Sequence, residues 1–177
     1  MKKIKYPQKN IWLTTDTHFN HAKLIEYGRP ADYEDKIRKH LLANVKPTDI
    51  LIHLGDVCLG NNIEHHNWFK ENLKCKTILI QGNHDGKSMS WYLDNGWDIA
   101  VRRLDIKYFG QRIAFTHRPT AWDGYFTMNI HGHFHNTDNR RQLEHKDELS
   151  RYNKLLALEY TNYQPVLLKT LLETRNN

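Results

Sequence analysis

The feature that most constrains this chain is a series of short apolar runs, each of which stops at a cluster of carboxylate, amide or imidazole residues. Ile11 to Thr15 leads into Asp16-Thr17-His18, Ile50 to Leu54 into Gly55-Asp56, and Thr77 to Gln81 into Gly82-Asn83-His84-Asp85. Arg112 to Thr116 then leads into His117, and Met128 to Ile130 is soon followed by Gly132-His133-Phe134-His135. Short apolar runs bounded by glycine and polar residues read as strands. Helical character fills Asp35 to Val45, Ile63 to Leu73 and Ser88 to Asn95. That alternation predicts β-α-β units, a parallel core and the α/β class. In open α/β sheets ligands gather beyond the carboxyl ends of strands, which is where the clusters fall.

Past Trp97 the pattern changes. Arg103 to Phe109 and Arg112 to Thr116, joined tightly at Gly110-Gln111, predict a hairpin. Asn136 to Asn153 is expected to be a surface loop or a charged helix, Leu155 to Tyr160 a late strand, and Val166 to Leu172 a closing helix. A chain of 177 residues with 39% hydrophobic and 26% charged residues is expected to form one domain, 1–177, with a sizeable core. Two cysteines, Cys58 and Cys75, are too few for a disulfide framework and suit a reducing compartment. Met1-Lys2-Lys3-Ile4-Lys5 has the charge of a signal peptide, but the apolar run after it is only Ile11-Trp12-Leu13. With no membrane-length apolar stretch either, a cytoplasmic protein is expected.

Carboxylate and imidazole residues together suit zinc, manganese, iron or nickel. In an extended chain Asp16 and His18 point the same way and can share an ion, although a strand-end aspartate can equally cap a following helix. Glycines at 55 and 82 let the backbone turn closely around a ligand. The formal charge of +6 favours anionic partners, and Arg102, Arg103, Lys107, Arg112 and Arg118 face one acid, Asp105. Arg118 and Arg29 are candidates for holding a substrate phosphate, with surface arginines as the alternative. His21 faces either the same cleft as His18 or solvent. His131 is expected within its strand, His65 and His66 on a helix, and Cys58 as a small hydrophobe. Trp122 either stacks on a ring or packs in the core.

The ordered clusters resemble the calcineurin-like metallophosphoesterase superfamily, whose motifs run Asp-x-His, Gly-Asp, Gly-Asn-His-Asp/Glu, His and Gly-His-x-His. Tyr163-Gln164-Pro165-Val166 is similar to the ending of small bacterial or phage members. The resemblance implies a four-layer αββα sandwich of two mixed sheets flanked by helices. It implies two divalent metal ions, one held by Asp16, His18 and His135 and the other by Asn83, His117 and His133, with Asp56 bridging. Such a pair binds a bridging hydroxide and stabilises the attacking and leaving oxygens of an in-line displacement. His84 would protonate the leaving oxygen or stabilise charge on the phosphoryl group. Asp85 would orient a neighbour or cap the next helix.

The substrate implied is a phosphate ester. Protein phosphatases of the superfamily place an Asp-Arg pair soon after the bridging aspartate, whereas this chain reads Gly55-Asp56-Val57-Cys58-Leu59-Gly60. A phosphoprotein is therefore not expected, and a compact site with few visible substrate clamps fits a phosphodiester, a nucleotide-like compound among them. The alternatives are a phosphomonoesterase, a nuclease acting on single-stranded nucleic acid, for which little chain remains to form a binding domain, and a non-catalytic scaffold.

Overall fold

The computed structural model describes residues 9–136 and 151–173. It contains two mixed sheets with helices, the arrangement expected for the α/β class. In chain order the elements are β1 (Ile11–Thr14), α1 (Lys23–Glu26), α2 (Tyr33–Asn44), β2 (Ile50–His53), α3 (Ile63–Asn72), β3 (Lys76–Ile80), α4 (Met89–Asp94) and β4 (Ile99–Val101). There follow β5 (Arg103–Tyr108), β6 (Gln111–Thr116), β7 (Met128–His131), β8 (Asn153–Leu155), β9 (Val166–Leu167) and α5 (Leu168–Glu173). The first sheet has the order β4-β3-β2-β1-β9, parallel except for β9, and the second the order β5-β6-β7-β8. In the second sheet β5 and β6 are antiparallel, and β6, β7 and β8 run parallel.

Alternation along the strands sorts the core into two layers, as the two-residue side-chain period requires. Ile11, Leu13, Ile52, Leu54 and Ile80 face Ile113, Phe115, Met128 and Ile130 between the sheets, joined by Leu168 and Leu171 of α5. Leu51 and Leu79 point the other way, onto Ile37 and Leu41 of α2, Phe69 of α3 and Tyr92 of α4. Full burial of each such side chain contributes about 1.5–3 kcal/mol. No helix among the described residues is long and apolar enough to cross a membrane.

Several elements differ from the sequence expectation. β4 was not anticipated: it is a three-residue edge strand entered at Asp98, whose carboxylate accepts from the Thr77 amide at 2.9 Å. The hairpin turns at Phe109-Gly110, both with positive φ, so Gln111 already lies in β6 opposite Tyr108. The late strand stops at Leu155, and Leu158–Thr161 is a 3-10 turn. Val166 and Leu167 pair with Leu13 and Trp12 before the closing helix starts, consistent with Pro165 keeping its surroundings extended. Of the predicted segment Asn136 to Asn153, residues 137–150 lie outside the described residues.

The topology sets the site. β1, β2 and β3 are parallel neighbours, so the loops after all three emerge on one edge. On the facing sheet β6 and β7 are parallel, and His117 and Gly132 to His135 emerge beside that edge. The His117 ring and the Leu54 carbonyl, 2.8 Å from its Nδ1, join the two sheets there.

Candidate metal centre

The loops after β1 and β2 run alongside each other as a continuation of the sheet. Backbone amides of Asp16, His18 and Phe19 donate to the carbonyls of Gly55, Asp56 and Val57 at 2.9, 3.0 and 3.0 Å. Asp16 and His18 converge, but not as an extended chain: both have φ of 45°, and Asp56, His133 and His135 also lie in the left-handed region. Left-handed backbone costs a non-glycine residue about 1–2 kcal/mol. Its concentration in these clusters marks a geometry imposed by the surroundings. Two glycines make the close approach possible. A Cβ at Gly82 would collide with the Asp56 carboxylate, and one at Gly132 with the side chains of Thr15 and Asp16.

Two buried carboxylates organise the cleft in the same way. The Oδ2 atom of Asp16 accepts from the Thr15 hydroxyl and from the His133 amide at 2.9 Å. Its Oδ1 faces the Nε2 atoms of His18 and His135 at 3.8 and 3.7 Å. The Oδ1 atom of Asp56 accepts from the His84 amide at 2.8 Å. Its Oδ2 faces Nε2 of His117, His18 and His84 at 3.3, 3.6 and 4.0 Å. One oxygen of each acid is thus held by the scaffold while the other looks into a ring of imidazoles. Asn83 Oδ1 and His133 Nδ1 complete the other flank, 3.0 and 3.2 Å from His117 Nε2.

The donor set fits divalent ions. Among the described residues Asp16 Oδ1 and His18 Nε2 are buried with no hydrogen-bond partner, a costly arrangement that a shared cation would relieve. Three overlapping groups among the described residues have donor atoms close enough to hold an ion: Asp16, His18 and His135; His18, Asp56 and His84; and Asp56, His117 and His133. Burial pushes His18 down to about 2 and His133 to about 3, leaving both imidazoles neutral, as ligands must be. His117 behaves oppositely. Burial works against its charge, but the Asp56 hydrogen bond and the charge of Asp16 push it up to about 9. Asp56 is held below the ordinary carboxylate range, with burial outweighed by the bond to His117 and the charges of His117 and His18.

Asp85 orients backbone rather than capping a helix. Its carboxylate accepts from the amides of Asp56, Val57 and Gly82 at 2.8, 3.1 and 2.8 Å, binding the second and third clusters together. Ser88 caps α4 instead. His84 is 42% exposed in its side chain, on the open side of the cleft. His21 lies in the same cleft, its ring 5.3 Å from that of His18 and 6.2 Å from that of His84.

Arg29 is a correction to the expectation of a substrate clamp. It is only 4% exposed and bonds the Asp16 and Thr17 carbonyls and the Glu159 carboxylate, so it has no face for a phosphate. Arg118 is exposed, and its charge reaches His133. Within the basic run, Arg103 is paired with Asp105 and Asp123, both at 2.7 Å. His131 ends β7, buried beside Phe134, and burial pushes it down to about 4. Cys58 packs beside His66, and burial pushes its thiol up to about 12. Trp122 is 52% exposed and stacks on Tyr152 at 5.2 Å rather than entering the core. Glu159 belongs to no motif, and its one signal in the sequence is that it is the lone acid in the otherwise apolar Leu155-Leu156-Ala157-Leu158-Glu159-Tyr160.

Residues 9–172 match the family model described as calcineurin-like phosphoesterase. The chain is 30% identical over 181 residues to a Methanocaldococcus jannaschii protein described as "Uncharacterized protein MJ1445", covering 93% of this chain and 90% of that one. Its structure is similar to that of the Aquifex aeolicus "Protein of Unknown Function AQ665", with a TM-score of 0.74, 25% identity, and coverage of 94% of this chain and 100% of that one.

Proposed function

Because this chain belongs to the calcineurin-like phosphoesterase family, we propose that it hydrolyses phosphodiesters at a pair of divalent metal ions. Asp16, His18 and His135 would hold one ion, Asn83, His117 and His133 the other, and Asp56 would touch both. The observation that carries this reading is the pair of buried, unpartnered atoms Asp16 Oδ1 and His18 Nε2, aimed into a cleft shared with Asp56. When bound, such ions supply an activated water at neutral pH and neutralise phosphoryl charge.

The chain's own residues do the rest. The two carboxylates, each with one oxygen fixed by backbone, would set where the ions sit and so where a phosphate can approach. His84, half-exposed across from Asp56, is the group that gives a proton to the leaving oxygen. His21 lines the wall beside it. Arg118 at the rim is the remaining candidate for contact with a phosphate oxygen.

A diester is favoured because the cleft has lost a cationic clamp: Arg29 is committed to Glu159 in the interior. A monoanionic diester needs less added positive charge than a dianionic monoester. A nucleic-acid track is disfavoured because Arg103, near the start of the basic run, is neutralised by two acids. The test is to strip the protein with chelator, reload it with manganese, iron, zinc or nickel in turn, and compare bis-nitrophenyl with mononitrophenyl phosphate. Metal-restored hydrolysis with higher kcat/KM for the diester is expected. Activity that survives complete chelation would overturn the metal-dependent reading, and a monoester preference would overturn the substrate assignment.

A further inference from the structure

Glu159 comes from none of the motif clusters, yet it reaches the candidate centre from the 3-10 turn Leu158–Thr161. Its Oε1 atom lies 3.2 Å from His135 Nδ1. The same oxygen accepts from Arg29 Nε at 2.9 Å and forms an ion pair with Nη2, 2.8 Å away. Arg29 in turn lies against the rings of Tyr33 and Tyr163, 5.1 and 6.0 Å from their centroids. It also donates to the carbonyls of Asp16 and Thr17, at 2.9 and 3.3 Å, inside the first cluster.

The Nδ1 atom of His135 faces two partners, Arg29 Nη2 at 3.1 Å and Glu159 Oε1 at 3.2 Å. Bare, it accepts from the guanidinium; protonated, it donates to the carboxylate. In the second tautomer the lone pair of Nε2 faces Asp16 Oδ1 at 3.7 Å, which is the form a metal ligand requires. A histidine ligand oriented through its other nitrogen by a carboxylate is a recurrent way of fixing ring angle and raising basicity at a metal.

We propose that Glu159, clamped by Arg29, is a positioning residue that fixes the ring and tautomer of His135 as a metal ligand. The proposal rests on the metal-dependent reading above and adds a group from the C-terminal part of the chain to it. It makes the Asp16, His18 and His135 side selectively sensitive to Glu159. The Asn83, His117 and His133 side, oriented by the Leu54 carbonyl, is independent of it.

The test is titration of Co2+ into chelator-stripped protein, following affinity for each ion and the visible absorption of the bound metal. Three variants separate position from charge. Glu159→Gln keeps an acceptor oxygen at the right distance without the charge, and Glu159→Asp keeps the charge but draws the oxygen back by one methylene. Arg29→Met with Glu159→Leu removes both charges together, so that neither is stranded in the interior. With two ions bound in wild type, Glu159→Asp and the paired variant should each weaken one ion about 10–100-fold and alter its Co2+ spectrum, leaving the other unchanged. Glu159→Gln should stay within about threefold of wild type, far short of the loss expected when a supporting group is removed. If Glu159→Asp retains wild-type affinity while Glu159→Gln loses it, charge balance rather than positioning is the role and the proposal fails. Unchanged affinities and spectra in Glu159→Asp overturn it as well. Failure of the wild-type protein to take up any Co2+ would instead remove the underlying metal-dependent reading, a result seen before any variant is made.

Discussion

The two flanks of the cleft are built differently. On the β1 side, Asp16 and His18 are buried, and His135 leans on Glu159 and Arg29. On the β3 side His117 is deeply buried and His133 half-buried, while Asn83 and His84 are exposed. The enclosed flank has its geometry set by interior hydrogen bonds, and the open flank keeps groups that can meet a substrate. Both depend on Asp56, whose Oδ2 is the point at which the flanks meet.

That comparison is broken most severely at Asp56. Asp56→Asn keeps the shape but lowers the charge shared by both flanks. Hydrolysis should fall by more than the roughly 10²–10³-fold contributed by one stabilising donor. Elemental analysis should show both ions depleted. Retention of one full equivalent would mean that the flanks bind independently.

His84→Ala sharpens the contrast, because the open flank should lose chemistry without losing metal. Turnover of alkyl diesters should fall by about 10²–10⁴-fold, the usual range for a general acid. Nitrophenyl diesters, whose leaving group departs as a stable anion, should fall much less. An equal fall for both would leave His84 only an electrostatic role.

The flanks should also differ in protons. His18 is neutral throughout the working range, but His117 is pushed up to about 9 and carries a proton at neutral pH before an ion binds. An ion on the His117 side must displace that proton. Affinity there should rise as pH increases from 6 towards 9, on the order of tenfold per unit for one displaced proton. Calorimetry in two buffers of different ionisation enthalpy would detect the released proton. A pH-independent affinity would mean that His117 is already neutral.

The smallest effect is expected at the rim. Arg118→Ala should raise KM for a small diester by several-fold with kcat little changed, about the value of one solvent-exposed ion pair. A steep salt dependence on long single strands, lost with Arg102→Ala and Arg118→Ala together, would signal a polynucleotide track instead.

The fold class was readable from the chain because each strand of the parallel core ends where apolar alternation yields to a polar cluster, as at Leu54 to Asp56. Elements with little apolar content were not readable. α1 buries no residue and so leaves no periodic trace, and β4 is held at an edge by Asp98 and Thr77 rather than by a hydrophobic run. The closing segment read as one helix, yet pairing with β1 makes Val166 and Leu167 a strand. Strand pairing is a long-range choice that local propensity does not encode.

For the site, the sequence by itself determined which residue types gather and at which strand ends, because parallel strands carry their following loops to one edge. It could not decide orientation. Asp16 and His18 were expected to align through an extended chain, but they converge through left-handed backbone held by Gly55 and Asp56. Nor could it decide the fate of an arginine. Arg29 and Arg118 look alike as phosphate clamps, and only the tertiary structure buries one against Glu159, 130 residues away, and leaves the other exposed at the rim. The physical reason is the same in both cases. A motif specifies chemistry within a few residues, whereas the direction of a side chain and its last hydrogen-bond partner depend on groups that only folding brings within 3 Å.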